Sequence, residues 1–287
     1  MRWFSILLFC VAACSPTDAI QGDPARVSPE PIPSGQTGES GAFRAMTGAL
    51  TLQIETSSGP LEVRLAEIDT PVPQAAQSQL ADWLEGRQVQ LVYSGLRRDR
   101  YDRALAQVRI TTPVAAASGE LGEEASTTSG HWLQYRLVEA GLARVMTHGD
   151  NQAHASVLLA VEQQARQAGR GLWGDPDHRV RDTHPDARAQ DIGSAQIVEG
   201  RVLDAVQLNS GRIYLNFGSD YRSDFTVRID AADSAVFEAA GLVPDMLSGR
   251  RVRVRGWLTD ENGPMIQLDH PARLELLEED PEAAIAR

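Results

Sequence analysis

The sequence predicts a β-rich α+β chain made of two small β-barrels in series, the first carrying packed helices. Three observations lead there. Between residues 44 and 174 alternating apolar segments come first and helical periodicities follow, an order that lays helices on a finished sheet instead of interleaving them with parallel strands. A polar stretch without apolar period, 175–194, then interrupts the pattern. A second series of alternating segments fills 195–277, with one short helical pattern inside it. A length of 287 residues fits two domains.

Ahead of the first barrel, Arg2 precedes an apolar run from Trp3 to Ala13 that is too short for a bilayer-spanning helix and reads as an export signal. The run ends in "VAAC", Val11 to Cys14, which resembles the lipobox of bacterial lipoproteins. That resemblance implies a signal peptide over 1–13 and lipidation of Cys14. Because Ser15 follows where Asp does not, it also implies an exported, lipid-anchored protein of the outer membrane facing the periplasm. Both cysteines, Cys10 and Cys14, lie in this region, so the exported domains rest on core packing without a disulfide. Residues 14–43 are rich in Pro, Gly and Ser and read as a disordered tether, since they have little apolar surface with which to offset ordering entropy.

Within 44–174, "ALTLQIET" and "LEVRLAEID" alternate on either side of a Ser-Ser-Gly-Pro turn, a hairpin pattern. "PQAAQSQLADWLEG" follows, with Leu80, Trp83 and Leu84 on one helical face and Gly86 as its stop. "VQLVYS" and "ALAQVRI" supply further strands. Two helical patterns close the segment, Trp132 to Val145 and His154 to Gly169. Asp150 and Asn151 stand where they can cap the second, and Val157, Leu158, Val161 and Ala165 make its buried stripe. The insert from Thr111 to Gly130 is acidic and of low complexity, a loop whose Glu120, Glu123 and Glu124 would repel a polyanion if it overhung the barrel mouth.

"VRLAEIDTP", "DRYDRALAQV", "LVEAGLARV" and "EQQARQAGRGLWG", in this order and spacing, resemble the staphylococcal-nuclease-like (thermonuclease) family over 44–174. The resemblance implies an OB-type barrel of five strands with three helices, cleaving phosphodiesters of nucleic acid with Ca²⁺. Carried over position by position, Arg64 and Arg103 are the catalytic, phosphate-binding arginines, with Tyr101 beside them, and Asp69 and Thr70 are metal ligands. Planar guanidinium forks suit phosphate oxygens, and carboxylate oxygen suits a hard cation. Two family features are absent. Val72 occupies the general-base position and can neither take a proton nor orient a water. "TGAL", Thr47 to Leu50, replaces the stretch that carries the second metal carboxylate, leaving an incomplete Ca²⁺ site. Glu67 is either a displaced base or ligand or a solvated strand carboxylate. Arg64 and Arg103 read equally well as ion-pair partners of Asp69 and Asp102.

From 195 to 277 five strands with one interposed helix, "SAVFEAAG", predict a second OB-like barrel, which also resembles the C-terminal module of some exported thermonuclease-like proteins. In "RRVRVRGW" Arg251, Arg253 and Arg255 share one face, and Tyr214 and Asn216 point outward. The face reads either as a platform for single-stranded nucleic acid or as a salt-bridged outer surface. Residues 278–287 form an acidic tail.

A net charge of −12 argues against a protein that wraps nucleic acid by bulk electrostatics, so any such contact is local. All 27 basic residues are Arg, a uniform absence of Lys that reads as codon bias in preference to phosphate binding. His178 and His184 lie near several Asp, yet in a stretch read as solvated linker. The expected function is a weak or inactive nuclease-fold module that binds phosphate, nucleic acid or a protein. The alternatives are an active Ca²⁺-dependent phosphodiesterase and an envelope scaffold.

Overall fold

The computed structural model describes residues 30–111, 130–220 and 222–278. Cys14, the signal and acidic-tail segments, and nearly all of the 111–130 insert lie outside the described residues. The described residues from Pro31 onward form one compact unit.

The first half of this unit is built on β1 (Gln36–Gly48), β2 (Thr51–Thr56), β3 (Gly59–Leu65), the short β4 (Ile68–Asp69), α1 (Pro73–Leu84), β5 (Gln88–Tyr93), β6 (Ala104–Thr111), α2 (Leu133–Glu139), the short β7 (Arg144–Val145) and α3 (Ala155–Gln167). Five strands close into a barrel in the order β1-β2-β3-β6-β5, with β3 and β6 parallel and β1 hydrogen-bonded to β5. The inward positions of the alternating strands, among them Leu52, Ile54, Val63, Leu91 and Val108, meet Leu80, Leu84, Leu137 and Leu158 from the three helices in one core. Helix α1 starts at Pro73, whose fixed φ suits a first helical turn, and stops before Gly86 at φ 67°.

Three local readings change. Gln36 to Ala42, read as tether, form the first half of β1 and pair with β5. Helix α2 ends at Glu139, because Gly141 at φ 68° turns the chain and Arg144–Val145 pair with β4. Helix α3 is capped by neither Asp150 nor Asn151. Its N-cap is His154, while Asn151 closes a tight turn onto His148.

Residues 175–194 carry a 3₁₀ turn (Pro176–His178) and α4 (Pro185–Ala189), tied down by Arg181 and Arg188, both ion-paired to Asp191. Beyond them come β8 (Ala195–Arg201), β9 (Asp204–Gln207), β10 (Ile213–Asn216), β11 (Thr226–Ile229), two short helices α5 (Ser234–Ala239) and α6 (Pro244–Leu247), β12 (Arg251–Asp260), β13 (Pro264–Leu268) and β14 (Leu274–Leu276). They make a seven-stranded sheet ordered β14-β12-β13-β11-β10-β9, with β8 also on β12. Its core is separate, with Leu215, Phe225, Val227, Phe237, Val252 and Ile266 fully buried.

The two halves share a seam. Ile197 of β8 packs with Ala165, Leu172 and Trp173, and Val72 and Val180 lie against this cluster. Beside it Arg255 of β12 is fully buried, reaching Glu162 of α3 at 3.0 Å and Glu275 of β14 at 2.5 Å. The strip read as solvent-facing is therefore split: Arg251 and Arg253 pair with Glu199, and Arg255 is buried between the halves.

Candidate phosphate-facing cleft

An open cleft of about 520 Å³ lies at the mouth of the first barrel, lined among others by Arg64, Tyr101, Arg103, His148, Asp150 and Asp269. The sequence brings the first three together for local reasons. Arg64 sits on β3 just before the chain turns at Glu67, a non-glycine residue at φ 66°. Arg103 follows an Asx turn in which the Asp99 carboxylate accepts the backbone N–H groups of Tyr101 (2.9 Å) and Arg103 (3.1 Å). The same carboxylate accepts Arg103 Nε at 2.8 Å and meets Nη2 at 2.6 Å. Burial opposes the charge of Asp99, but Arg103 and the two backbone donors outweigh it and hold the pKa below the usual aspartate value. The partner of Arg103 is thus Asp99. Asp102, at φ 62°, only shapes the turn.

Arg64 is more loosely held. Its guanidinium donates to the carbonyls of Leu50 and Leu65 at 3.4 Å each and of Ile68 at 3.3 Å, and lies 3.6 Å from Asp69. These contacts are near the long limit for hydrogen bonds, so they hold the guanidinium only loosely. Burial pushes the Arg64 pKa down, Asp69 pulls it up, and the positive charge of Arg103 pushes it down again. Two guanidinium groups therefore feel each other across one space. Tyr101 exposes 63% of its surface, with Arg100 and Arg103 at 4.8 and 5.0 Å from its ring centroid.

The metal side does not assemble. Thr70 donates its hydroxyl to the Leu142 carbonyl at 2.7 Å and accepts from Val72 N–H at 3.1 Å, a helix-entry role. Asp69 faces Arg64. No group of three His, Cys, Asp or Glu side chains is placed to hold a metal among the described residues. Ca²⁺ takes six to eight oxygen ligands, of which the Asp69 carboxylate and the Thr70 carbonyl would supply only a minority. Val72 does not line the cleft. It packs against the cluster of Ala165, Leu172, Trp173 and Ile197.

Glu67 is not a solvated strand carboxylate. It is buried, accepting His154 N–H at 3.0 Å, His154 Nδ1–H at 2.9 Å and Gln107 Nε2–H at 3.1 Å. Trp132 Nε1–H in turn donates to Gln107 at 2.9 Å. This network braces the cleft floor, and its members were invisible as a group because 87 residues separate Glu67 from His154.

Sequence reasoning also missed the far side of the cleft. His148, Asp150 and, from the segment after β13, Asp269 line it. Arg273 Nη2 lies 3.4 Å from His148 Nδ1. An arginine can only donate, so Nδ1 accepts and Nε2 carries the ring proton. Burial and the charge of Arg273 lower the His148 pKa.

The first half is thus a closed five-stranded barrel sharing its core with three helices, with Arg64 and Arg103 lining one cleft. Residues 62–175 match the family model described as Staphylococcal nuclease homologue. No curated protein matches the chain.

Proposed function

We propose that the cleft binds a phosphate group through Arg64 and Arg103 and that the domain is a binding module with little or no phosphodiesterase turnover. One observation carries the reading: both arginines line one cleft, whereas Val72, at the base position of the resembling family, is committed to the seam. General acid–base assistance is typically worth about 10² to 10⁴ in rate, and the other groups offer it poorly. Glu67 is fully engaged, Asp99 is clamped to Arg103, and His148 presents a donor nitrogen.

The test is titration of the protein with a nucleoside 5′-monophosphate, alongside cleavage of single-stranded DNA with Ca²⁺. Binding that Arg103→Ala weakens more than about tenfold, without cleavage, is the expected outcome; loss of one charge-assisted bidentate contact has roughly this size. Robust Ca²⁺-dependent cleavage by the wild type, abolished by Arg64→Ala, would establish the phosphodiesterase alternative instead.

In the same reading the second half is an OB-like barrel. What supports it is that β9-β10-β11-β13-β12-β8 repeats the strand order of the first barrel, with β11 and β13 as the parallel pair. Val202 N–H donates to Arg250 and Leu203 N–H to Asn216, so the β8–β9 connection bridges both ends. Export and acylation at Cys14 belong to this proposal too. No helix among the described residues is long and apolar enough to cross a membrane, and Cys14→Ala should shift the protein from membrane to soluble fractions.

A further inference from the structure

The cleft has two electrically different ends, and the second half of the chain builds one of them. His270 Nε2 and Thr147 Oγ1 are 2.7 Å apart. Arg273 donates from Nε and Nη2 to the Thr147 carbonyl at 2.9 and 2.6 Å. These bonds fix the segment that presents His148 and Asp150, while the neighbouring Asp269 enters the lining directly. The charges acting on Arg64 come from Asp69, Arg103 and Asp99. Those acting on His148 come from Arg273, Asp269, His270 and Asp150. Among the lining residues Arg64, Arg100 and Arg103 stand with Glu67 and Asp99 on the barrel segments, whereas the other side presents His148, Asp150 and Asp269 and no arginine, with Arg273 and His270 behind Asp269.

We infer that Asp269 is a specificity-determining residue that restricts the cleft to one terminal phosphate on a hydroxyl-bearing organic group, a mononucleotide, and excludes the interior of a nucleic-acid strand. The inference rests on the reading of Arg64 and Arg103 as phosphate binders. A single phosphate meets the arginines. A sugar hydroxyl can donate to a carboxylate at the acidic end, a favourable charge-assisted bond, while a second backbone phosphate there would face Asp150 and Asp269. The exposed ring of Tyr101 offers a stacking surface for a base. The volume, about 520 Å³, suits a small ligand.

The experiment compares adenosine 5′-monophosphate with an oligothymidylate lacking terminal phosphates, each titrated into wild type, Asp269→Asn and Asp269→Glu, with melting curves to confirm folding. Wild type should prefer the mononucleotide by at least ~10-fold. Asp269→Asn should tighten the oligonucleotide ~5–10-fold, as expected for removing one partly screened like charge, and weaken the mononucleotide ~3–5-fold, since its sugar hydroxyl loses a charged acceptor. Asp269→Glu, keeping the charge, should behave as wild type. Should Asp269→Asn fold poorly, Asp150→Asn at the same end, on an exposed residue, carries the same expectation. An unchanged ratio in the folded Asn variant, or equal wild-type affinity for both probes, overturns the inference alone. No mononucleotide binding, or binding indifferent to Arg103→Ala, overturns the phosphate reading and this inference with it.

Discussion

Asp269 accepts from His270 Nδ1 at 2.6 Å and faces Arg273 at 3.4 Å. Burial opposes its ionisation, but the His270 bond and the charges of Arg273 and His270 outweigh burial and hold the pKa down to about 2. An unfolded aspartate titrates near 3.9. The folded state thus favours the carboxylate, and the stabilisation is complete above about pH 4 and lost as pH falls toward 2. The melting-temperature gap between wild type and Asp269→Asn should be widest at pH 5 and close by about pH 2. A gap constant over that window would refute the assignment. At Glu67 the stakes are packing and hydrogen bonds together. Its side chain is fully buried, and Glu67→Ala strands His154 and Gln107 without their acceptor. A loss of about 3 kcal/mol in urea unfolding is expected, whereas Glu67→Gln, which keeps one acceptor oxygen, should lose less than half of that.

Single elements show where sequence pattern suffices. Strands β2, β3, β5 and β6, α1 and α3 were legible because each buries one face, so its period is written in apolar residues. β1 was not, since Gly38 and Gly41 look like flexible-linker glycines. They are there for room: a Cβ at Gly38 would lie 2.2 Å from the Tyr93 ring, and one at Gly41 would lie 2.4 Å from the Glu55 carbonyl oxygen. Residues 175–194 are ordered by ion pairs such as Arg181–Asp191, which leave no apolar period to read. The arginine half of the cleft was legible as a motif; Asp269 was not, because it comes from another half of the chain. At the entrance of α1, Val72 separates motif from geometry. Restoring an acid there by Val72→Glu buries part of a carboxylate against Leu172 and Trp173 and should cost about 1–3 kcal/mol with no gain in DNA cleavage. A rise in Ca²⁺-dependent cleavage above wild type would show that the side chain reaches the cleft.

At the scale of the whole molecule, the question is what makes the described residues from Pro31 onward one unit when each half has its own core. The seam combines a small apolar cluster around Ile197 with a polar centre. Arg255, fully buried, donates to the Val145 carbonyl at 2.9 Å and to both oxygens of Glu162 at 3.2 and 3.0 Å. Glu162 also accepts Val145 N–H at 2.8 Å. Burial opposes the Arg255 charge, yet Glu162 and Glu275 raise its pKa above the ordinary arginine value. Such a centre contributes little net stability compared with an apolar substitute, but removing one partner leaves the other charged and desolvated. Arg255→Ala should therefore cost about 3–5 kcal/mol, and the cost should fall on the seam, since neither core contains Arg255. Wild type is expected to melt in a single calorimetric transition, the variant in two, with proteolysis of the variant beginning in 175–194 once the halves separate. A variant that still melts in one transition and loses under about 1 kcal/mol would mean that the apolar cluster alone couples the halves.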